Sequence, residues 1–231
     1  MRVVFVHGAC VQDGPWWWHR AAAVLASRGV SSAAPALPSC GETGVAAGTG
    51  GPGLDDDVAA VRGELQGADE ATVVVAHSYG GIVVAEAAAG LGTVRHLLLI
   101  SSYLPEVGES LSSFSGPGPA PFLDVDADAG TIGVRPETLA ETFMQDCPEL
   151  VDDATRRLAR QSLSITQQPV RASAWQHVPT TYLVCREDRG TPAERQREFA
   201  ARAQTVVELD AGHHPFLAQP QPVADLLLGL S

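Results

Sequence analysis

The sequence predicts an α/β protein with a doubly wound, mostly parallel sheet of about six strands. Short apolar runs rich in β-branched residues alternate with runs of helical periodicity over residues 1–100 and again over 179–231. The stretch 101–178 interrupts this alternation and is too long for a loop in a compact core. We therefore expect a core built from 1–100 and 179–231, with 101–178 inserted as a mainly helical cap over the functional site.

The first strand, Arg2–Val6, leads into the turn His7-Gly8-Ala9-Cys10, where the glycine allows a close backbone approach. This turn lacks the further glycines of a dinucleotide-binding G-x-G-x-x-G, so we expect no nucleotide cofactor. A helix then opens with Trp16-Trp17-Trp18 and runs to Ser27. Since these tryptophans cannot all share one helical face, at least one should line a cavity or its rim.

A second strand is expected over Val30–Leu37, followed by a glycine-rich loop and a helix over Leu54–Gln66. Asp55, Asp56 and Asp57 stand in the first turn of that helix. Carboxylates at this position stabilise the helix dipole, and we prefer this role to metal binding.

The stretch Val73–Ala85 joins a β-branched run to an alanine-rich helix through a tight turn, with Ser78 at its tip. Ala76 and Gly80 flank the serine and complete a degenerate G-x-S-x-G, in which alanine replaces the first glycine. A hydroxyl here is exposed at a helix N-terminus, whose free N–H groups can bind an oxyanion. The alternative is that Ser78 only caps the helix.

The remaining elements follow from the same patterns. After the serine turn we expect a helix over Tyr79–Gly90 and a strand over Val94–Ile100. The inserted stretch should contain a hairpin around Asp124–Asp128 and helices over Pro136–Asp146 and Glu149–Gln161. Strands and helices should then alternate again, over Thr180–Cys185, Pro192–Ala203, Thr205–Leu209 and Val223–Leu230.

The composition limits the partners of the protein. Lys and Arg number 15 and Asp and Glu 27, so the formal net charge is −12, which disfavours nucleic acid and anionic membranes. No segment reaches the roughly 20 apolar residues of a membrane span and no signal-peptide pattern precedes the first strand, so we expect a cytoplasmic location. The cysteines lack metal-binding or disulfide-framework spacing, so we expect free thiols and no metal, at Cys10, Cys40, Cys147 and Cys185.

A serine nucleophile needs a base, and the base needs an acid that holds it in the right tautomer. In a parallel sheet such groups lie at the carboxyl ends of strands. Glu187 and Asp188 follow one late strand. Asp210, His213 and His214 follow the next. The sequence therefore offers both partners, with more than one candidate for each.

These features resemble the α/β-hydrolase superfamily, in which serine, acid and histidine follow in this chain order. Within it, the small methylesterase and hydroxynitrile-lyase-like branch is similar to the turn His7-Gly8-Ala9-Cys10, the tryptophans after it, the segment Cys185–Pro192 and the pair Gly212-His213. The resemblance covers nearly the whole chain. It implies the α/β-hydrolase fold and chemistry without a cofactor.

Carried over by position, the resemblance makes Ser78 the nucleophile, His213 the general base and Asp188 the acid. The family places the base directly after the glycine, which favours His213 over the next residue. Glu187 would point to the other side of an extended segment, and Asp210 lies too near His213 in the chain. The alternative for Asp188 is that it only caps the helix that follows.

The resemblance also implies an oxyanion hole formed by the backbone N–H groups of Ala9 and Tyr79. It places Cys10, Trp16 and Tyr79 against the substrate, and we expect His214, next to the base, to be a further substrate contact. Hydroxynitrile lyases of this branch carry a lysine where His214 stands, and its charge stabilises departing cyanide. A histidine that is mostly neutral at pH 7 favours ester hydrolysis instead.

Phe143 and Trp175 in the cap indicate an apolar or aromatic pocket, although both are equally compatible with the cap's own core. We expect a serine hydrolase without cofactor or metal that cleaves a small, apolar or aromatic carboxylic ester through an acyl-enzyme. Two alternatives stay open. The same residues are compatible with C–C bond cleavage or acyl transfer in a biosynthetic pathway, or with a low-turnover ligand-binding protein on the same fold.

Overall fold

The amino-terminal part of the chain forms alternating strands and helices, as predicted. In the computed structural model, which describes residues 1–116 and 118–230, this part contains the strands β1 (Arg2–Val6), β2 (Ser31–Ala33), β3 (Thr72–His77) and β4 (Val94–Ile100) and the helices α1 (Gly14–Ser27), α2 (Leu54–Gln66) and α3 (Gly80–Ala87). The strand predicted over Val30–Leu37 narrows to β2, because this edge segment pairs with β1 along only three residues. A short 3-10 helix at Pro38–Cys40 follows it.

The inserted stretch 101–178, called the insertion from here on, has more helical than extended residues, as predicted. It contains the strands β5 (Leu123–Asp126), β6 (Thr131–Val134) and β7 (Gln161–Ser162), the helices α4 (Pro136–Thr142) and α5 (Val151–Thr155), and 3-10 helices at Leu111–Phe114, Pro148–Leu150, Leu163–Thr166 and Ala174–Gln176. Strands β5, β6 and β7 pair antiparallel, and the predicted hairpin is the β5–β6 pair.

The helix predicted over Glu149–Gln161 is wrong in its second half, since α5 already ends at Thr155. The backbone beyond it has other partners. Ala159 N–H donates to Cys10 O at 2.9 Å, and Gln161 pairs with Ile132 in the small sheet. Contacts with distant parts of the chain therefore outweigh the local helical pattern here.

The carboxyl-terminal part completes a six-stranded sheet. It adds the strands β8 (Thr180–Cys185) and β9 (Thr205–Leu209) and the helices α6 (Ala193–Ala200), α7 (Pro215–Ala218) and α8 (Pro220–Leu228). The strand order is β2-β1-β3-β4-β8-β9, and every pair of neighbours is parallel. The chain moves outward from β1 to β2 and then in the other direction from β3. This reversal between β1 and β3 opens a crevice at their carboxyl ends, where doubly wound sheets bind ligands.

Helices cover both faces of the sheet, so the predicted doubly wound α/β class is confirmed. Along β1, Val4 and Val6 belong to one buried cluster, together with side chains of α2, α3 and α6. Val3 and Phe5 belong to the other, together with side chains of α1 and α8. This alternation is the period of two expected for a strand buried on both faces. The sheet thus gives a rigid platform for the turns at its carboxyl edge.

Two further expectations can be compared with the structure. The cysteines are all buried and free, as the spacing predicts: Cys10, Cys40, Cys147 and Cys185. Burial raises the pKa of the Cys147 thiol to about 12, so the thiolate is scarce at neutral pH.

Within residues 1–116 and 118–230, none of the helices combines the length and the apolar character that crossing a membrane requires.

Candidate active site

Ser78 lies on a strained turn at the carboxyl end of β3. Its φ is 50°, a left-handed conformation that residues other than glycine rarely adopt. Its N–H donates to Ile100 O at 3.3 Å, which ties the turn to the end of β4. Gly80 permits strand and helix to approach closely, because a Cβ there would lie 2.6 Å from Val6 O. The Ser78 hydroxyl makes no hydrogen bond within the described residues and is free to meet a ligand.

His213 and Asp188 form a buried pair. His213 Nδ1–H donates to Asp188 Oδ2 at 2.7 Å. Asp188 follows β8 and His213 follows β9, so the parallel pairing of these strands brings the two turns together. Their exposed fractions are only 6% and 5%. With Nδ1 engaged, His213 keeps Nε2 free, and His213 and Ser78 line the same cavity.

Ser101 and Gln196 complete the surroundings of Asp188 Oδ2. Ser101 Oγ donates to it at 2.5 Å and Gln196 Nε2 at 3.1 Å. Burial alone would raise the pKa of Asp188, but the charge of His213 and hydrogen bonds from His213, Ser101 and the Thr191 N–H hold it below its usual value. The carboxylate is therefore ionised at neutral pH. Ser101 was not among the residues predicted from the sequence, although its position directly after β4 is the signal that could have identified it.

The other candidate acids lie away from His213. Glu187 is exposed, whereas the adjacent Asp188 is buried. Asp210 is also exposed and forms an ion pair with Arg186 at 2.5 Å. Helix α6 has Pro192 as its N-cap and no side-chain cap, so Asp188 does not cap it. The carboxylate that meets the histidine is the one that the sequence favours.

The two histidines next to His213 are neutral. His214 Nδ1–H donates to Phe143 O at 2.9 Å, and its ring stacks on Trp17 with 5.0 Å between centroids. Burial, aided by the charge of His213, lowers the pKa of His214 to about 3. His77 Nε2–H donates to His213 O at 2.9 Å, and burial lowers the pKa of His77 well below its usual value. At pH 7 neither ring offers the positive charge that a departing anion would need.

Free backbone donors lie next to Ser78. The N–H groups of Tyr79, directly after the serine, and of Ala9, in the turn after β1, have no acceptor within residues 1–116 and 118–230. The turn lies against the serine, since a Cβ on Gly8 would come within 3.1 Å of Ser78 Cβ. Unpaired N–H groups beside a nucleophile are the arrangement that stabilises an oxyanion.

A cavity of about 860 Å³ lies beside these groups. Ser78 and His213 line it from the sheet edge. The insertion contributes mostly aromatic and aliphatic side chains, among them Phe114, Phe122, Leu139, Phe143, Leu163 and Ile165. Arg195 also lines it, but its guanidinium forms an ion pair with Glu198. The reacting groups therefore face an apolar wall.

Three of the predicted substrate contacts line this cavity: Cys10, Phe143 and His214. Phe143 stands next to the base, with 5.0 Å between its ring and that of His213. Burial raises the pKa of Cys10 to about 12, so its thiol is a wall group without thiolate character.

The two predicted tryptophan contacts lie elsewhere. Trp16 is outside the cavity lining, where the Arg157 guanidinium covers its ring at 4.4 Å. Its neighbour Trp17 lines the cavity. Trp175 is also outside the lining, and its Nε1–H donates to Pro105 O at 2.7 Å. Trp175 packs against the core under the main sheet, so it neither lines the cavity nor forms a separate core within the insertion.

His77, His213 and His214 form a cluster in which one ring nitrogen of each lies within 4.8 Å of the others. A tetrahedral zinc ion would hold such nitrogens roughly 3.3 Å apart. Each ring already uses one nitrogen in a hydrogen bond, and that of His213 goes to Asp188. These are the residues that could hold a cation here, and the expectation of a metal-free site stays a prediction.

Known proteins share both sequence and fold with this chain. A model of the alpha/beta hydrolase family matches residues 3–226. A probable hydrolase, R7, of Phoma sp. is 30% identical over 67% of this chain and 68% of its own. Methylesterase 7 of Arabidopsis thaliana is 24% identical over 100% of this chain and 96% of its own, in line with the methylesterase-like resemblance. The crystal structure of a pyrethroid hydrolase from Sphingobium faniae JZ-2 superposes with a TM-score of 0.85 at 22% identity, covering 99% of this chain and 96% of that one. The chain therefore belongs to the alpha/beta hydrolase family.

Proposed function

We propose that this protein is a serine esterase that cleaves a small apolar carboxylic ester through an acyl-enzyme. The observation that carries the proposal is the 2.7 Å hydrogen bond between His213 and Asp188 at a cavity that also presents Ser78. A protein that only binds ligand has no need of a strained serine beside an oriented base. The esterase and hydrolase relatives support the same chemistry.

In the acylation step, His213 Nε2 takes the proton of Ser78 Oγ as that oxygen attacks the ester carbonyl carbon. Asp188 stabilises the resulting imidazolium through the Nδ1–H bond. The N–H groups of Ala9 and Tyr79 donate to the oxygen of the tetrahedral intermediate. When the intermediate collapses, the bond to the alkoxide breaks, and the imidazolium gives its proton to the leaving oxygen. The alcohol departs and the acyl group stays on Ser78.

In the deacylation step, water enters the place of the alcohol. His213 removes one water proton as the oxygen attacks the acyl carbon. The second tetrahedral intermediate uses the same N–H donors. Its collapse breaks the bond to Ser78 Oγ, which recovers its proton from His213, and the carboxylic acid leaves. Ester and water are thus converted to acid and alcohol.

The cavity indicates the substrate class. Its insertion side is mainly apolar, and Arg195 is already paired with Glu198, so an anionic group would find no free cation there. Neutral His77 and His214 add none at pH 7. We therefore assign an uncharged ester with an apolar or aromatic part to this site. In this proposal residues 1–100 and 179–231 carry the chemistry, and the insertion is the cap that selects the substrate.

The test is hydrolysis of p-nitrophenyl acetate by the wild-type protein and by Ser78→Ala, with a fluorophosphonate probe to label the nucleophile. Loss of the hydroxyl should lower kcat by about 10⁴-fold or more, because the acyl-enzyme cannot form. Labelling should disappear as well. Ser27→Ala, which removes an exposed hydroxyl at the end of α1, is the matched control. If Ser78→Ala keeps more than about a hundredth of wild-type kcat, Ser78 is not the nucleophile.

A further inference from the structure

A buried chain of hydrogen bonds links the two turns that carry the free N–H groups. Cys10 N–H donates to Gln161 Oε1 at 2.9 Å, and Gln161 Nε2 donates to Ser39 Oγ at 2.8 Å. Ser39 Oγ donates to Asp57 Oδ2 at 2.5 Å. Tyr79 OH donates to the same carboxylate oxygen at 2.8 Å. These hydrogen bonds therefore form a continuous network from Cys10, in the turn after β1, to Tyr79, the residue after the nucleophile.

The hydrogen-bond network passes through one carboxyl group, Asp57, whose pKa is raised by burial and lowered in part by the hydrogen bonds from Ser39 and Tyr79. Asp57 is fully buried, and its other oxygen accepts the Ser39 N–H at 2.9 Å. The sequence predicts a dipole role for the aspartates of this helix. Asp56 agrees with it, since its Oδ2 accepts the Gly53 N–H that precedes the helix at 2.8 Å. Asp57 instead faces the serine turn. Burial and the nearby Asp57 charge raise the pKa of Tyr79 well above its usual value, so the phenol keeps the proton that it donates.

Both ends of this hydrogen-bond network lie at turns that carry the oxyanion donors. Cys10 has a φ of 60°, a strained conformation that needs external support. Its N–H is held by Gln161, and the preceding residue, Ala9, lines the cavity with an N–H that has no acceptor within residues 1–116 and 118–230. At the other end, the bond to Asp57 holds the Tyr79 side chain and with it the first residue of the α3 turn.

We propose that Gln161 and Asp57 are positioning residues of the oxyanion hole, acting through Cys10 and Tyr79. This inference rests on the proposed esterase function. Gln161 belongs to β7, which is part of the insertion. The insertion therefore contacts the oxyanion turn through the hydrogen bond from Cys10 N–H to Gln161 Oε1, as well as lining the cavity with apolar side chains. Replacing buried ion pairs by apolar residues of similar volume is often neutral for stability, so stability alone is a weak reason for such a network. The role that we assign to this one is the placement of the two N–H groups.

The test uses Gln161→Met and Tyr79→Phe, which remove the polar contacts while keeping the volume. Each should lower kcat for p-nitrophenyl acetate by about 10-fold or more, a part of the loss caused by deleting an oxyanion donor, with little change in KM. Affinity for a trifluoromethyl ketone, which forms an oxyanion on Ser78, should fall by the same factor. Affinity for the corresponding methyl carbinol, which forms none, should stay unchanged.

Ser162→Ala is the matched control. Ser162 is the next residue of β7 and is also buried, but its Oγ accepts the N–H of Gly48 at 3.1 Å, and Gly48 lies outside the cavity lining. This variant should lose thermal stability without changing the ratio of the two affinities. If Gln161→Met fails to fold, Tyr79→Phe, which lacks a single oxygen, carries the test alone.

Two results would overturn the inference. The first is unchanged kcat in Tyr79→Phe together with Gln161→Met, even if their melting temperatures fall. The second is an equal loss of affinity for ketone and carbinol, which would indicate general damage to the cavity. Failure of the proposed function looks different. The wild-type protein would then neither hydrolyse the ester nor be labelled at Ser78, and the inference would be rejected with it.

Discussion

The strand-end turns and the insertion meet at one cavity but hold their side chains by different means. At the sheet edge, directional hydrogen bonds orient the groups, as in the 2.7 Å contact of His213 with Asp188. In the part of the insertion that lines the cavity, aromatic side chains pack on one another, as in the edge-to-face pair of Phe122 and Phe143 with 4.9 Å between centroids. Directional bonds define where an atom lies, whereas apolar contacts define mainly shape and volume. Changes in the directional bonds should therefore affect rate, and changes in the apolar wall of the insertion should affect selectivity.

Three of the polar contacts that cross between the two regions lie beside the reacting groups. His214 Nδ1–H donates to Phe143 O, and the Cys10 N–H donates to Gln161 Oε1. Gly212 N–H also donates to the Asp146 carboxylate, one residue before the base. Each crossing ends at the backbone or at a residue adjacent to the reacting groups. The insertion is thus placed relative to the sheet edge by directed bonds, while its apolar side chains remain free to set the shape of the cavity.

The largest expected change in kcat is caused by substitution of the acid, Asp188. Asp188→Asn should lower kcat by about 10⁴-fold, because the amide is the wrong partner for the Nδ1–H and favours the other tautomer. Glu187→Gln changes the adjacent, exposed carboxylate in the same way and should leave kcat nearly unchanged. Steady-state kinetics on both variants check this. A larger loss in Glu187→Gln than in Asp188→Asn would contradict the assignment and place the acid one residue earlier.

The sheet edge could be predicted from sequence because its rules are local. Parallel strands align their carboxyl ends, so residues that follow β1, β3, β8 and β9 must meet at one edge. The turn at Ser78 also has a local signature, since Gly80 allows the close approach that the elbow needs. The resemblance then selected among neighbours such as His213 and His214. The observed pairing with Asp188 follows from this register.

The insertion could not be predicted to the same depth, because its contacts are between distant residues. Gln161 lies in a run with helical periodicity, yet it pairs with Ile132 and holds the Cys10 N–H. No pattern in the sequence around Gln161 predicts a contact with Ile132 or with Cys10. Asp57 shows the same limit in the core: its place in the first turn of α2 explains a dipole role equally well. For the tryptophans a local signal was present, since buried Trp17 shares the inner face of α1 with Ala21 and Leu25 at a spacing of four residues.

A smaller effect is expected at Ser101, which supports the acid without touching substrate. Ser101→Ala removes the 2.5 Å bond to Asp188 Oδ2 but leaves the bonds from His213 and Gln196. A hydrogen bond to a charged group contributes about 1.5–3 kcal/mol. We expect kcat/KM to fall by about tenfold, the equivalent of about 1.4 kcal/mol, and the free energy of unfolding at pH 7 to fall by about 2 kcal/mol.

The pH dependence of stability distinguishes a hydrogen bond from Ser101 to ionised Asp188 from a role of Ser101 in packing alone. The pKa of Asp188 is lowered in the folded state, so its contribution to stability is present above the unfolded value of about 3.9 and is lost as the pH falls through the folded value. The stability difference between wild type and Ser101→Ala should shrink over that same range in urea titrations. Thr191→Ala keeps the backbone N–H that bonds Asp188 and should show no such trend. A difference that is constant with pH would contradict the role of Ser101.

Substitutions in the wall of the cavity should have the smallest effect on rate. They also test most directly the difference between the sheet edge and the insertion. Phe143 lines it beside His213, whereas Trp175 packs on the core outside it. Phe143→Ala should raise kcat/KM for bulky relative to small esters by about tenfold, because space opens next to the reacting groups. Trp175→Ala should leave that ratio unchanged. Both variants lose a buried or half-buried aromatic ring, so both should lose roughly 3 kcal/mol of stability, and both should still be labelled at Ser78 by a small fluorophosphonate. An equal change of selectivity in the two variants would mean that selectivity follows the stability of the fold, and the division between a reacting edge and a selecting wall would then be rejected.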